Sequence, residues 1–230
     1  GNQTGYIDKE SLPTLGTVSR NENGYPIGYF FGYKAIGVFQ TQEEIDSYIS
    51  PATGKPIQPN AAPGDTKFED LNGDGVISDD NEDRTMIGKP NPDWMVGLTV
   101  AADWNGFDLS AFFQGSFGAD VFDALRRYEL AAVNYTSDAL ERWTGPGTSN
   151  SMPRIVLGDT PKNFRPSTLL VHDASFLRLR NLQVGYTLPA QLTRKAYIQR
   201  LRFYASFDNL LTITGYKGMD PEIGSTMGID

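Results

Sequence analysis

Residues Trp94 to Phe117 constrain this chain more than any other stretch: two long alternating runs joined by Asn105-Gly106. Asn-Gly between alternating runs is a strong hairpin signal, because a tight type I′ turn needs positive φ at both central positions. A two-residue turn pairs Trp104 with Phe107, Ala102 with Leu109, Val100 with Ala111, Leu98 with Phe113 and Val96 with Gly115. Directly paired residues share a face, so one face is continuously apolar. The other face carries Gly97, Thr99, Asp103, Asp108, Ser110, Gln114 and Ser116, with Phe112 the main exception. Each run is about eleven residues, enough to cross a bilayer when tilted. The pattern predicts the wall of a membrane β-barrel.

Composition agrees. The 230 residues are 39% hydrophobic and 12% aromatic, with 24 glycines and 14 prolines, which favours a turn-rich β protein over a helical bundle. No run approaches the roughly eighteen apolar residues of a membrane helix, whereas barrel strands hide their lipid face in alternation. Without cysteine there is no disulfide, thiol catalysis or zinc-thiolate site. The Gly1 start carries no signal peptide, so the sequence reads as a fragment.

The net charge of −8 argues against a nucleic-acid partner, and it is localised. Asp65 to Asp83 holds eight acids and one base, Lys67, which gives −7 in that window alone.

Along the chain, residues 1–27 read as polar and irregular. Gly28 to Gln40 reads as one strand, followed by a helical turn near Thr41–Ser50, where Thr41 and Glu44 have capping-box spacing. Residues 51–93 read as one long loop. Ala119–Trp143 is largely helix-compatible, with Leu125, Tyr128, Ala132 and Leu140 suitably spaced, and 144–170 is a second loop. In Ser175–Leu188 the apolar phase switches from Leu177 and Leu179 to Leu182, Val184, Tyr186 and Leu188. A bulge, or a change from lipid-facing to packed surroundings, accounts for such a switch. Arg200–Leu211 alternates as a final strand.

The clearest local motif is Asp70-Leu-Asn72-Gly-Asp74-Gly75-Val76-Ile77. It matches the first half of an EF-hand-type loop, with oxygen ligands at positions 1, 3 and 5, glycine at 6 and a backbone carbonyl at 7. Position 12 is Asn81 rather than an acid, so Asp79, Asp80, Glu82 or Asp83 must close the site. The expected ligands are Asp70, Asn72, Asp74, the Val76 carbonyl and Asp83, holding a structural Ca²⁺. The plainer reading is a solvated acidic loop whose Asp, Asn and Gly simply make turns.

Other candidates are weaker. His172 is the only histidine, which leaves zinc or Ser-His-Asp chemistry without partners. Asp79 and Asp80 are adjacent in a turn, unlike a glycosidase acid–base pair. Trp94, Trp104, Phe107, Phe117 and Tyr186 lie at strand ends, where they suit interfacial girdles or ordinary core packing. Arg178, Arg180, Arg200 and Arg202 suit a polar lumen or a solvated sheet face.

Five separated blocks, in order, resemble the late-barrel region of the SusC/RagA family of TonB-linked outer-membrane transporters. They are residues 70–77 with Asp83-Arg-Thr-Met-Ile-Gly-Lys-Pro-Asn-Pro-Asp-Trp94, GYFFGYKAIGVFQTQEEIDSY (28–48), RWTGPGTSNSMPRI (142–155), SFLRLRNLQVGYTLP (175–189) and NLLTITGYKGMDPEIG (209–224). The resemblance implies an all-β chain: antiparallel strands of the C-terminal part of a transmembrane barrel, with long loops and a short helical segment. It makes residues 1–230 one barrel segment containing the acidic calcium-type loop 65–93. It further implies a Bacteroidetes-type outer membrane, import of oligosaccharides or peptides, a SusD-like surface lipoprotein partner and energy from the TonB complex, acting through a plug that this sequence lacks. Two features depart from the family. The acidic loop carries extra residues before Asp83-Arg84, and the sequence stops at Gly228-Ile-Asp230, before the usual final strand. Such a fragment is not expected to close a pore alone. The competing expectation is a secreted soluble β-sandwich that binds carbohydrate and uses calcium structurally. A glycan hydrolase ranks below both, since no acid–base constellation emerges.

Overall fold

The computed structural model describes residues 18–79, 81–124, 134–218 and 220–222. In chain order the strands are β1 (Ser19–Arg20), β2 (Tyr29–Tyr33), β3 (Ala35–Val38), β4 (Thr66–Phe68), β5 (Arg84–Gly88), β6 (Trp94–Trp104), β7 (Phe107–Phe117), β8 (Asp120–Phe122), β9 (Val171–Asp173), β10 (Phe176–Thr187) and β11 (Arg202–Thr214). Helix α1 spans Gln42–Ser47 and α2 is a single turn over Ala190–Thr193. Among the described residues no helix is long and apolar enough to cross a membrane. The chain divides into two compact units. One contains residues up to Asn91 with Asp120–His172, and the other contains Pro92–Ala119 and Asp173–Glu222.

The second unit is a four-stranded antiparallel sheet in the order β11-β10-β7-β6. The β6–β7 register pairs Trp104 with Phe107 and runs unbroken to Trp94 and Phe117, as the Asn-Gly turn predicts. Asn105 and Gly106 both take positive φ, 48° and 88°, the type I′ requirement. The phase switch in β10 is a bulge. Its register against both neighbours shifts between Leu179 and Asn181: against β7 the inserted residue is Arg180, which exchanges the faces of odd and even positions, whereas against β11 the extra residue is on β11, between Asp208 and Leu211. Asn209 on β11, with φ of 52°, lies opposite this irregularity.

The bulge keeps the apolar residues in register across all four strands. Trp104, Phe107, Tyr186 and Phe203 form one cross-strand row. Val100, Ala111, Leu182 and Phe207 form another, and Leu98, Phe113, Leu179 and Leu211 a third. Without the extra residue, one half of β10 would present its leucines to the wrong face.

The first unit holds short strands around an aromatic core. β2 lies between β1 and β5, and all five of its residues are buried, so its sequence is apolar throughout instead of alternating. Gly28–Gln40 is therefore two strands: after Lys34 the chain leaves this sheet, and β3 pairs with β4. Residues 51–93 likewise contain β4 and β5, the latter stabilised by antiparallel pairing to β2. Helix α1 is capped as its spacing predicts, the Glu44 amide donating to Thr41 Oγ1 at 3.3 Å, with Ile45 buried.

The helical expectation for Ala119–Trp143 is corrected. Asp120–Phe122 is β8, which pairs with β9, and Phe122 packs with Val18, Phe30 and Leu170. Leu140 lies in a 3-10 turn over Ser137–Glu141 and is exposed. Leu125, Tyr128 and Ala132 lie outside the described residues. Long-range pairing of a short Asp-Val-Phe segment prevails over its local preference.

Candidate functional site

The acidic loop is shaped by its own carboxylates. Asp70 accepts from the Gly73 amide through Oδ1 at 2.8 Å and from the Gly75 amide through Oδ2 at 2.9 Å. Asn72 Oδ1 accepts from the Asp74 amide at 3.0 Å, and Asp74 Oδ1 from the Val76 amide at 2.8 Å. Each is a local side-chain-to-backbone turn of the kind Asp and Asn favour. Gly75 is required: its φ is 89°, and a Cβ there would lie 2.8 Å from Ser50.

Asp83 has a different position from Asp70 and Asp74. It is fully buried, and accepts from the Leu71 amide at 3.1 Å and the Ser78 amide at 2.9 Å, so it fastens the two limbs of the loop together. Tyr33 adds a second tie, donating to the Ser78 carbonyl at 2.6 Å. The acid that approaches the motif from the far limb is Glu82. The Asn72 amide nitrogen donates at 3.0 Å to both Asp74 Oδ2 and Glu82 Oε2. A polarised N–H group thus sits between two carboxylates, where a cation would be favoured. Asn72 and Asp74 are exposed, as is the Val76 side chain, while Asp70 is half-buried. Ile77 is half-buried, and among the described residues no three His, Cys, Asp or Glu side chains group as a metal-binding set.

Asp79, just beyond the motif, is ion-paired to Lys162 with Arg165 4.0 Å away. The hydrogen bond from Lys162 holds the Asp79 carboxyl below the usual carboxylate range. Deeper in the same unit, Asp65 is 2% exposed and ties its own turn to the distant residues Arg154 and Asn163. Arg154 donates to it at 2.6 and 3.1 Å, Asn163 at 3.0 Å and the Ala62 amide at 2.8 Å. The charge-assisted bonds that Arg154 donates to Asp65 push the guanidinium's pKa further up.

The long-stranded sheet presents two chemically distinct faces. On one, Trp94, Leu98, Val100, Trp104, Phe107, Phe203 and Phe207 are all exposed, Trp104 to 75%. Trp104, Phe107 and Tyr186 end their strands in one aromatic row, with Phe107 and Tyr186 rings 4.4 Å apart. Phe203 completes this row; its partner was hidden in sequence because no short turn joins β10 to β11. Trp94 and Phe117 pair at the opposite end.

The other face is a polar network. Arg202 donates to Asp108 at 2.9 Å. Arg178 is 5% exposed and bonds Thr212, Glu222 and Asp220 at 2.9, 2.7 and 2.7 Å, while Arg180 reaches Gln114 and also Glu222. These arginines therefore brace neighbouring strands and the Asp220–Glu222 segment. His172, 3.9 Å from Asp123, belongs to the other unit.

No protein-family model matches the chain. Its sequence is similar to TonB-dependent receptor P3 of Formosa agariphila, 35% identical over 200 residues that cover 86% of this chain and 19% of that protein. It is also similar to TonB-dependent receptor SusC of Bacteroides thetaiotaomicron, 29% identical over 230 residues, covering 99% of this chain and 21% of that one. Among solved structures, the RagAB peptide transporter matches with a TM-score of 0.66 and 27% identity over 94% of this chain and 22% of its own. The chain thus spans about a fifth of the relatives it matches. With its antiparallel strands, few helices and this likeness in both sequence and structure, the chain is a SusC/RagA-like segment of the TonB-dependent receptor type.

Proposed function

We propose that the chain forms part of the barrel wall of an outer-membrane, TonB-dependent active transporter that imports oligosaccharides or peptides with a SusD-like surface lipoprotein. The observation that carries this reading is the sheet β11-β10-β7-β6: strands of eleven to thirteen residues, an exposed apolar face ending in aromatic rows, and a hydrogen-bonded polar face behind it. A soluble protein rarely leaves so extended an apolar surface in water, whereas lipid is its natural solvent. A soluble β-sandwich would instead cover that face with a second sheet. The relatives' names, TonB-dependent receptor and SusC, and a structural neighbour described as a peptide transporter, support transport rather than catalysis.

Within such a transporter this chain supplies wall and loops. Substrate capture and TonB-driven plug movement are work for the whole protein, and no residue here is assigned a step in them. The acidic loop is proposed to hold Ca²⁺ through Asp70, Asn72, Asp74 and the Val76 carbonyl, with Asp83 or Glu82 closing the set. What supports this is the ordered succession of Asx turns, the glycine at the sixth position and the acid pair bridged by the Asn72 amide. A bound ion would supply charge compensation and stiffen the loop.

The test is fractionation of cells producing the full-length receptor, with gel mobility in SDS compared before and after boiling. Outer-membrane recovery with heat-modifiable mobility is expected. Recovery in the soluble fraction with no mobility change would overturn the reading.

A further inference from the structure

The unit that holds the acidic loop also contains a groove of about 990 Å³, at the upper end of the size of small-ligand sites. Its lining carries four cations, Lys55, Arg154, Lys162 and Arg165, against one carboxylate, Asp65. That carboxylate is committed to Arg154. The other three cations are differently placed. Lys55 has no ion-pair partner for its ammonium among the described residues. Lys162 and Arg165 both face Asp79, whose side chain is 69% exposed. A cleft lined by one sign of charge concentrates field and draws counter-charged ligands.

Asp79 shows what this cation pair prefers. A carboxylate carried on a loop reaches across to Lys162, and its exposure means that little packing holds it there. Arg165 is preorganised: it lies over the Tyr33 ring at 4.7 Å and the Phe68 ring at 4.9 Å, and donates through Nε to the Lys162 carbonyl. A guanidinium fixed in this way loses little freedom when an oxygen acid arrives. We propose that the groove binds carboxylate groups of an acidic ligand, which take the place of Asp79 on Lys162 and Arg165 and reach Lys55. No covalent step is involved. The proposal concerns binding alone and does not depend on the transport reading.

The test is calorimetric titration of the full-length receptor in detergent with two carboxylate carriers, pentaglutamate and trigalacturonate. Pentaglutamine and maltotriose serve as neutral controls. At least one acidic probe is expected to bind and the neutral ones not to, with affinity falling as salt rises. Which carrier binds distinguishes a peptide-borne from a sugar-borne carboxylate. Lys162→Gln and Lys55→Gln should each weaken binding about tenfold, the usual consequence of losing one charge-assisted contact. Asp79→Asn should tighten it, because the internal competitor is gone. Heat-modifiable mobility of each variant verifies folding. Equal binding of neutral and acidic probes, no binding of either acid, or weakened binding in Asp79→Asn would overturn the proposal.

Discussion

Asp108 and Arg202 meet across an intervening strand, over the bare backbone of Gly185. Asp108 lies on β7 and Arg202 opens β11; Gly185 of β10 stands between them. A Cβ at Gly185 would come within 2.5 Å of the Arg202 guanidinium and of both Asp108 oxygens. The contact also relieves a conflict, since Asp108 is directly paired with Asp103 on β6, and like charges opposite one another repel. Gly185→Ala is expected to displace the pair without disrupting the sheet, because both colliding groups are ends of flexible side chains. The loss should be small, since the pair is partly exposed and screened by solvent. In a double-mutant cycle, Gly185→Ala and Asp108→Asn should be non-additive. The readout is the temperature at which the full-length receptor loses its compact gel mobility.

Neighbouring residues on β6 should respond oppositely to charge. Val100 belongs to the exposed apolar face, and Ala101, paired with Ser110, to the polar one. Val100→Arg should cost about 2–4 kcal/mol in a bilayer, and Ala101→Arg close to nothing. Urea unfolding of the full-length receptor in phospholipid vesicles measures both. Equal costs would mean that the apolar face does not meet lipid.

The hairpin and its faces were legible because Asn105-Gly106 sets the register and every alternate residue then follows. The bulge was legible too, as a change of phase between Leu179 and Leu182, although Arg180 as its inserted residue was not. Phe203 was legible as an apolar position of the last strand but not as a member of the aromatic row, because its partner, Tyr186, is separated from it by a connection with no fixed turn. The first unit was harder to read. Asp65 lies some ninety residues from Arg154 and Asn163, and no local pattern announces such a hub. β5 was obscured by the acidic residues before it, and β8 by flanking residues that suit a helix. The motif Asp70–Ile77 was visible, yet the burial of Asp83 depends on Leu71 and Ser78, which only the folded loop brings to it.

Asp83 and Asp74 should therefore behave differently when calcium is removed. Asp83→Asn removes a buried carboxylate that two loop amides bond, and should destabilise the loop by about 1–3 kcal/mol with or without calcium. Asp74→Ala, at an exposed position, should raise protease sensitivity mainly when calcium is present, bringing it to the level of the chelated parent. Limited proteolysis of the full-length receptor in calcium and in chelator is the measurement. If the parent is cleaved equally in both, the calcium proposal fails.

Removing Arg154 should cost more than removing any surface partner. Asp65 is 2% exposed, so Arg154→Ala would leave a buried charge with only Asn163 and the Ala62 amide to satisfy it. Breaking a buried pair typically costs about 3–5 kcal/mol, and the partial exposure of Arg154 places this case near the lower end. Asp65→Asn with Arg154→Met should recover part of the loss, because the uncompensated charge is then absent. Denaturant unfolding of the single and double variants decides this.

Tyr29 gives the first unit an alkaline limit. Its ring is buried and stacked on Tyr25 at 4.9 Å, and its hydroxyl donates to Glu22 at 3.0 Å. Burial, and then the bond to Glu22, push the phenol up to about 12. A group whose pKa is raised by folding stabilises the protein fully below its unfolded pKa, here about 10, and loses that contribution as pH rises through the folded value. Stability should therefore decline between about pH 10 and 12. Tyr29→Phe keeps the ring and should remove this part of the decline. Glu22→Gln should lower the phenol's pKa yet leave it above the ordinary value, because burial is the larger cause. Tyrosinate absorbance, followed with unfolding across this range in parent and variants, tests both statements. Ionisation of Tyr29 near pH 10 without loss of structure would refute them.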